Sequence, residues 1–251
     1  MNVAGGLDLW TAVLAVFVLG LITALATGLG AIPFAFFELV SRRRVALAHA
    51  IASGLMLGAS FGLLVEGRAY GLPQTIVGGL LGMLFIVFGE RLLASHQLSF
   101  GDLRGAGARK VLLILGVMTL HSFSEGVAVG VAFGGGQKLA SLITIAIAVH
   151  NVPEGLAISA VMRPKGASVV ACAGWSVFSS LPQPLMAVPA FLFVEIFRPL
   201  LPYGLGFAAG AMVYMVLFEL LPEAYEGLGP TRVGLWVSLT LGAMVLFQRY
   251  L

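Results

Sequence analysis

Two stretches of this chain repeat one pattern: His121-Ser122-Phe123-Ser124-Glu125-Gly126 and His150-Asn151-Val152-Pro153-Glu154-Gly155. On a helix, residues four apart share a face. His121 therefore points the same way as Glu125, and His150 the same way as Glu154. Two such helices side by side offer two imidazoles and two carboxylates to one point. That donor set suits a divalent metal such as zinc or iron(II). Mutual His–Glu ion pairing is the alternative, and it leaves carboxylate lone pairs unused. A bound divalent ion satisfies all four groups at once. The glycine after each glutamate leaves room for a close helix crossing or a passing ion. Pro153 removes one backbone donor and frees the carbonyl of Val149 as a further polar group.

The elements that must carry these residues are membrane helices. The chain has 251 residues, of which 59% are hydrophobic and only 10% charged. Its mean hydropathy is +1.03. A soluble domain carries about 25% charged residues, so lipid must be the solvent here. An ionisable side chain at mid-bilayer costs at least about 2.5–3.5 kcal/mol, which makes four of them in two adjacent spans a functional signal. Breakers and hydropathy predict eight spans, at 9–37, 45–66, 71–93, 109–134, 138–162, 167–196, 201–225 and 231–250. Each reaches the roughly 20 residues that cross about 30 Å of hydrocarbon. The fold expected is an all-α integral membrane protein, a single transmembrane domain over 1–251. The one connection of any size, 94–108, reads as a flexible loop.

Of the 14 Lys and Arg residues, ten fall on one side: Arg42, Arg43, Arg44, Arg91, Arg104, Arg109, Lys110, Arg163, Lys165 and Arg232. Arg68, Lys138, Arg198 and Arg249 fall on the other. The first side is then cytoplasmic, and an even number of spans puts both termini opposite. The inner or plasma membrane of a cell is expected rather than an organelle membrane. The first span is long for a signal peptide, lacks a small-residue cleavage pattern and reads as a retained helix. One cysteine, Cys172, allows no intrachain disulfide. The recurrent glycines inside the spans read as helix-packing positions. Pro33, Pro153, Pro182, Pro184, Pro189 and Pro222 are expected to kink or break their helices.

The two motifs resemble the fourth and fifth helices of the ZIP (Zrt/Irt-like) family of divalent metal transporters. Further runs agree in order. Residues 27–33 resemble that family's first-helix signature, 53–60 its second, 180–184 its sixth and 218–224 its seventh. The form of the fourth-helix motif and the run 179–185 look closest to the GufA-like branch. The resemblance implies eight helices in a 3+2+3 arrangement, with helices 1–3 and 6–8 inverted around helices 4 and 5. It implies alternating-access movement of zinc, iron, manganese or similar ions toward the cytoplasm. Residue by residue, His121, Glu125, His150 and Glu154 match its primary metal site. Many members hold a second metal beside the first. Here the matching positions are Ser122, Asn151 and Gln183, all uncharged, so any second site is weak and one tightly held metal is expected. Ser124 stands where a proline is common, so helix 4 is expected to bend less. Only His96 lies in the connection that often carries several histidines. Glu219 and Met56 match family positions near the ion pathway.

The expected function is therefore a secondary transporter or facilitator and not an enzyme. Zn²⁺ is the first expected substrate, with Fe²⁺, Mn²⁺ and Cd²⁺ as alternatives. The chain has no G-x-x-x-x-G-K-[ST] phosphate loop, which argues against ATP as the driving force. An intramembrane zinc metallohydrolase is the alternative from another class. Expected partners are the metal ion, the lipid bilayer and a possible second copy in a homodimer; no nucleic-acid partner and no catalytic cofactor are expected. Among the remaining ionisable groups, Glu66 could draw cations at the outer end of its helix. Glu195 is placed to pair with Arg198. His49, near a cytoplasmic helix end, reads as a satisfied or solvated histidine.

Overall fold

A chain this apolar must satisfy its backbone within each segment, and in lipid that means helices. The computed structural model describes residues 8–37, 41–95 and 106–250. Glu38, His96, Asp102 and Arg104 lie outside the described residues. Eight helical spans follow in order: α1 (Leu9–Phe36), α2 (Arg42–Tyr70), α3 (Leu72–Ser95), α4 (Ala106–Gly135), α5 (Gln137–Met162), α6 (Val169–Ile196), α7 (Arg198–Leu228) and α8 (Pro230–Tyr250). Seven are long and apolar enough to cross a membrane, counted among the described residues. The eighth, α4, has 30 residues and carries the first motif.

The limits read from the sequence are right in order and short at several ends. α2 begins at Arg42 rather than 45 because the Ser41 side chain caps it, accepting from the Arg44 N–H. α1 starts likewise at an Asp8 cap, whose carboxylate accepts from Trp10 and Thr11 N–H. The Thr11 hydroxyl bond, joined by these backbone bonds, holds the Asp8 carboxyl below its usual range.

Three spans are interrupted where prolines sit. α1 is regular over Leu9–Leu29, turns through Gly30, and resumes over Pro33–Phe36. α6 breaks at Leu181, between Val169–Ser180 and Pro182–Ile196. α7 widens to a π-helical turn over Val216–Leu220, just before Pro222. Proline's ring collides with the carbonyl four residues back and donates no hydrogen bond, and the wider turn relieves that collision. Pro153, by contrast, is absorbed within a continuous α5.

Helix packing has an inverted two-fold pattern. The major pairs are α3 with α7, α2 with α8, α4 with α6, α1 with α5, α2 with α5 and α4 with α7. Exchange of α1 with α6, α2 with α7, α3 with α8 and α4 with α5 maps each of these pairs onto another. The same exchange maps α1–α6, α2–α7 and α4–α5, all in contact, onto themselves. The result is two four-helix groups. One holds α1, α4, α5 and α6; the other holds α2, α3, α7 and α8. They meet chiefly along the α2–α5 and α4–α7 seams.

Small residues set the spacing in this lipid-solvated bundle. A Cβ on Gly82 would lie 2.0 Å from the Phe207 carbonyl oxygen across the α3–α7 seam, whereas one on Gly242 meets nothing within 4 Å. Gly82→Ala is therefore expected to destabilise the detergent-solubilised protein by about 1–3 kcal/mol, the usual cost of overpacking. Gly242→Ala should fall within about 0.5 kcal/mol of wild type, as exposed substitutions do. Thermal unfolding of both variants checks this, and equal loss in both would refute the close seam.

Candidate metal site

The first and second motifs sit on α4 and α5, which lie side by side. Gly126 and Gly155 let neighbouring helices come close on either flank. A Cβ on Gly155 would lie 1.7 Å from the Thr27 carbonyl oxygen of α1, and one on Gly126 2.5 Å from the Gln183 carbonyl oxygen of α6. The two broken helices thus press against the two motif helices at matching places, which gives the glycines the crossing role their spacing suggested.

His121, Glu125, His150 and Glu154 are all buried, none more than 2% exposed. One ligand atom from each can be chosen so that all four lie within 4.8 Å of one another. The shortest contacts run between helices. His150 Nε2 is 2.5 Å from Glu125 Oε1, and His121 Nε2 is 2.7 Å from Glu154 Oε1. Within α4, His121 Nε2 is 3.3 Å from Glu125 Oε1. The sequence spacing foretold the shared faces but not this crosswise pairing.

Contact here is not the same as hydrogen-bond satisfaction. His121 Nε2 and Glu154 Oε1 are close yet lack hydrogen-bond alignment with any partner among the described residues. The Nδ1 atoms of both histidines also lack one. Burying polar atoms in this condition costs about 1–3 kcal/mol each. A divalent ion among the four side chains would engage the unsatisfied Nε2 and Oε1 directly. Donors around tetrahedral zinc at about 2.0–2.2 Å stand roughly 3.4 Å apart, so small rotations of these side chains suffice. The arrangement can chelate one first-row divalent cation.

The three uncharged positions beside the motifs have a different part. The Gln183 amide donates to Glu125 Oε2 at 2.5 Å. The Asn151 amide donates to Gln183 Oε1 at 3.2 Å and to the Thr23 carbonyl at 2.8 Å. This chain of bonds ties α6, α4, α5 and α1 together and leaves Glu125 Oε1 as the oxygen facing the histidines. Ser122 is buried, and its hydroxyl has no hydrogen-bond partner among the described residues. Ser124, in the position of the absent proline, donates to the His121 carbonyl at 2.7 Å.

The other candidates are spread more widely. Met56 is fully buried in the main apolar core. Glu219 lies on the π-helical turn of α7, and Glu90 lies near the end of α3. Glu90 accepts from the Tyr214 hydroxyl at 3.2 Å. Glu66 lines a cavity of about 420 Å³ with Lys138, Gln137 and Gln248, at the end of the bundle opposite the arginines. Glu195 pairs with Arg198 as expected. His49 is buried rather than solvated, 2% exposed, and its Nδ1 stands 3.2 Å from Glu223 Oε2 without an aligned hydrogen bond among the described residues. The cause is α7, which packs along α2 and covers it. The signal available in sequence was its spacing, two turns from Met56 on one face of α2.

Comparison with known proteins follows the same lines. The family model described as ZIP Zinc transporter matches residues 89–247. An Arabidopsis thaliana protein, named as a zinc-transporter candidate, is 45% identical over 225 residues, covering 88% of this chain and 36% of that one. The zinc transporter GufA of Myxococcus xanthus is 34% identical over 228 residues, 84% of this chain and 88% of its own. The human zinc transporter ZIP11 is 38% identical over 151 residues, 57% of this chain and 44% of its own. The chain thus spans only about a third of the plant relative and under half of the human one.

The bond between Gln183 and Glu125 can be checked apart from any metal. Gln183→Leu removes the donor and strands a buried carboxylate oxygen, which should lower stability by about 1–3 kcal/mol or somewhat more. Thermal unfolding of the metal-free protein at neutral pH would show it, and an unchanged midpoint would mean that the bond contributes nothing.

Proposed function

The chain belongs to the ZIP zinc transporter family, and from that premise we propose that it moves divalent transition-metal ions, zinc first, into the cytoplasm through His121, Glu125, His150 and Glu154. The observation that carries this reading is the convergence of four buried ligand atoms from α4 and α5 within 4.8 Å. The protein is a multi-pass membrane protein by its spans, and its named relatives are transporters. Burial argues against the metallohydrolase alternative, because a hydrolase must leave a ligand position open to water and substrate. The whole chain acts as one transmembrane unit in a cell's inner or plasma membrane. Its arginine-rich end faces the cytoplasm and both termini lie outside.

The central site holds one metal at a time. Two divalent ions would bring +4 against two carboxylates in a medium of low dielectric, and the Gln183 amide already points a donor hydrogen rather than a lone pair at Glu125. Fe²⁺, Mn²⁺ and Cd²⁺ are competing substrates on the same donor chemistry. Metal concentration and membrane potential drive movement. Two charges entering a negative interior gain about 4.6 kcal/mol per 100 mV.

Three outcomes are expected. Zinc uptake into sealed proteoliposomes is saturable and is abolished by the His150→Ala/Glu154→Ala pair; full flux in that variant would show that the ion takes another route. Uptake slows as pH falls, because a protonated imidazole has no lone pair for the metal; a flat profile from pH 7.5 to 5.5 would count against histidine ligation. Cysteines introduced at Asp8 and Gly166 should react with an impermeant thiol reagent from opposite sides of the membrane, in a background where Cys172 is replaced. Labelling of both from one side would overturn the topology.

A further inference from the structure

The seam between α2 and α7 carries a second set of polar groups, well apart in sequence from the motif helices. His49 projects from α2 and is 2% exposed, with neither ring nitrogen hydrogen-bonded. Its Nδ1 stands 3.2 Å from Glu223 Oε2 of α7, close but not aligned as a hydrogen bond. The histidine is buried, whereas the Glu223 side chain is 60% exposed. This is the end of the bundle where Arg43, Arg44 and Arg232 line one shallow cavity.

We propose that His49 and Glu223 form a second, weaker binding station for the transported divalent cation, at the arginine-rich end of the α2–α7 seam. The proposal rests on the transport reading and extends it. One imidazole nitrogen and one carboxylate oxygen are a minimal pair of ligands for zinc or cadmium. Two donors sharing a tetrahedral zinc stand roughly 3.4 Å apart, and these two are 3.2 Å apart. Water completes the shell from the exposed side of Glu223. Fewer protein ligands and open solvent make the ion easy to release, in contrast to the four buried donors of α4 and α5.

Continuity with the buried cluster comes from α7. Glu219, Glu223 and Glu226 follow a spacing of four and three, which places them on one face. Glu219 and Glu223 are one turn apart on α7, which packs against α4, the helix that carries His121. The face therefore runs from the neighbourhood of the central cluster past His49 to Glu226, which pairs with Arg42. That pair already fastens α2 to α7 with opposite charges and neutralises one arginine beside the path. A structural latch at His49 would duplicate it and would be expected to use a well-aligned hydrogen bond.

Cadmium binding to the detergent-purified full chain tests the station. In the His150→Ala/Glu154→Ala background, addition of His49→Ala should remove one weak equivalent of bound Cd²⁺, and His49→Cys should restore it, since a thiolate also ligates cadmium. Equal binding with and without His49→Ala would overturn the proposal. In the otherwise native protein, His49→Lys places a cation opposite Glu223 and cannot ligate while protonated. It should slow zinc flux while leaving tight equilibrium binding at the central site unchanged. Wild-type flux in His49→Lys would assign the pair to a structural latch and also overturn the proposal. The restoring His49→Cys variant separates lost ligation from misfolding. Failure of the transport reading would look different, with no flux from the wild type however many ions it binds.

Discussion

Four ionisable side chains buried inside a lipid-solvated bundle are the constraint on which the rest depends. An isolated charge in such a place is expensive, so His121, Glu125, His150 and Glu154 can exist there only together. Bringing them together requires α4 and α5 side by side with their motif faces converging. That in turn requires neighbours that fit closely around both, and Gly126 and Gly155 supply the close approach. α1 and α6 press into those gaps just where each is interrupted. The breaks matter because they bring polar groups to membrane depth. Thr27 and Ser180, one beside each break, are 2.8 Å apart through their hydroxyls.

The inverted pattern of helix packing explains why the site is central, and its exceptions explain why it is not symmetric. Every major seam has a counterpart under the exchange of halves, so the α4–α5 pair lies on the axis of that exchange. The polar chain does not follow the symmetry. Gln183 on α6 reaches Glu125, while the α1 contribution on the other flank is a backbone carbonyl, that of Thr23, held by Asn151. The π-helical turn, which carries Glu219, falls in α7 and in no other span among the described residues. Symmetry therefore builds the frame, and a few polar departures make its two ends differ, with the Glu66 and Lys138 cavity at one end and the His49–Glu223 contact at the other.

Much of this was legible in the residues alone, for identifiable reasons. Spans were legible because hydrocarbon thickness fixes a minimum apolar length. The ligand faces were legible because residues four apart on a helix share a side. What the pattern could not supply was anything decided between helices. The crosswise contacts of His121 with Glu154 and of His150 with Glu125 depend on the relative rotation of α4 and α5. The orientation of the Gln183 and Asn151 amides depends on which acceptors the fold brings near, and uncharged residues in those positions looked like a deficit of ligands rather than a clamp. The burial of His49 was not legible because sequence places it near a helix end, whereas burial depends on α7 lying across it. Helix limits erred for a local reason: the Ser41 cap lets α2 start among three arginines that hydropathy had assigned to the connection.

Charge balance links the site to the motion that a carrier needs. Two neutral imidazoles and two carboxylates sum to −2, and one divalent cation brings the cluster to zero. A neutral cluster crosses a region of low dielectric far more cheaply than a doubly negative one. The filled state is therefore the one that can be enclosed between the two four-helix groups without penalty. An emptied site must regain counter-charge, from a new ion or from protons taken up by the same side chains. Gln183 fits this logic better than a third carboxylate would. An acid in its place would leave the singly filled cluster at −1 and the empty one at −3, and would need a second cation to restore balance. The amide keeps Glu125 oriented without adding charge, so a single ion is enough to switch the cluster between a state that resists burial and one that permits it.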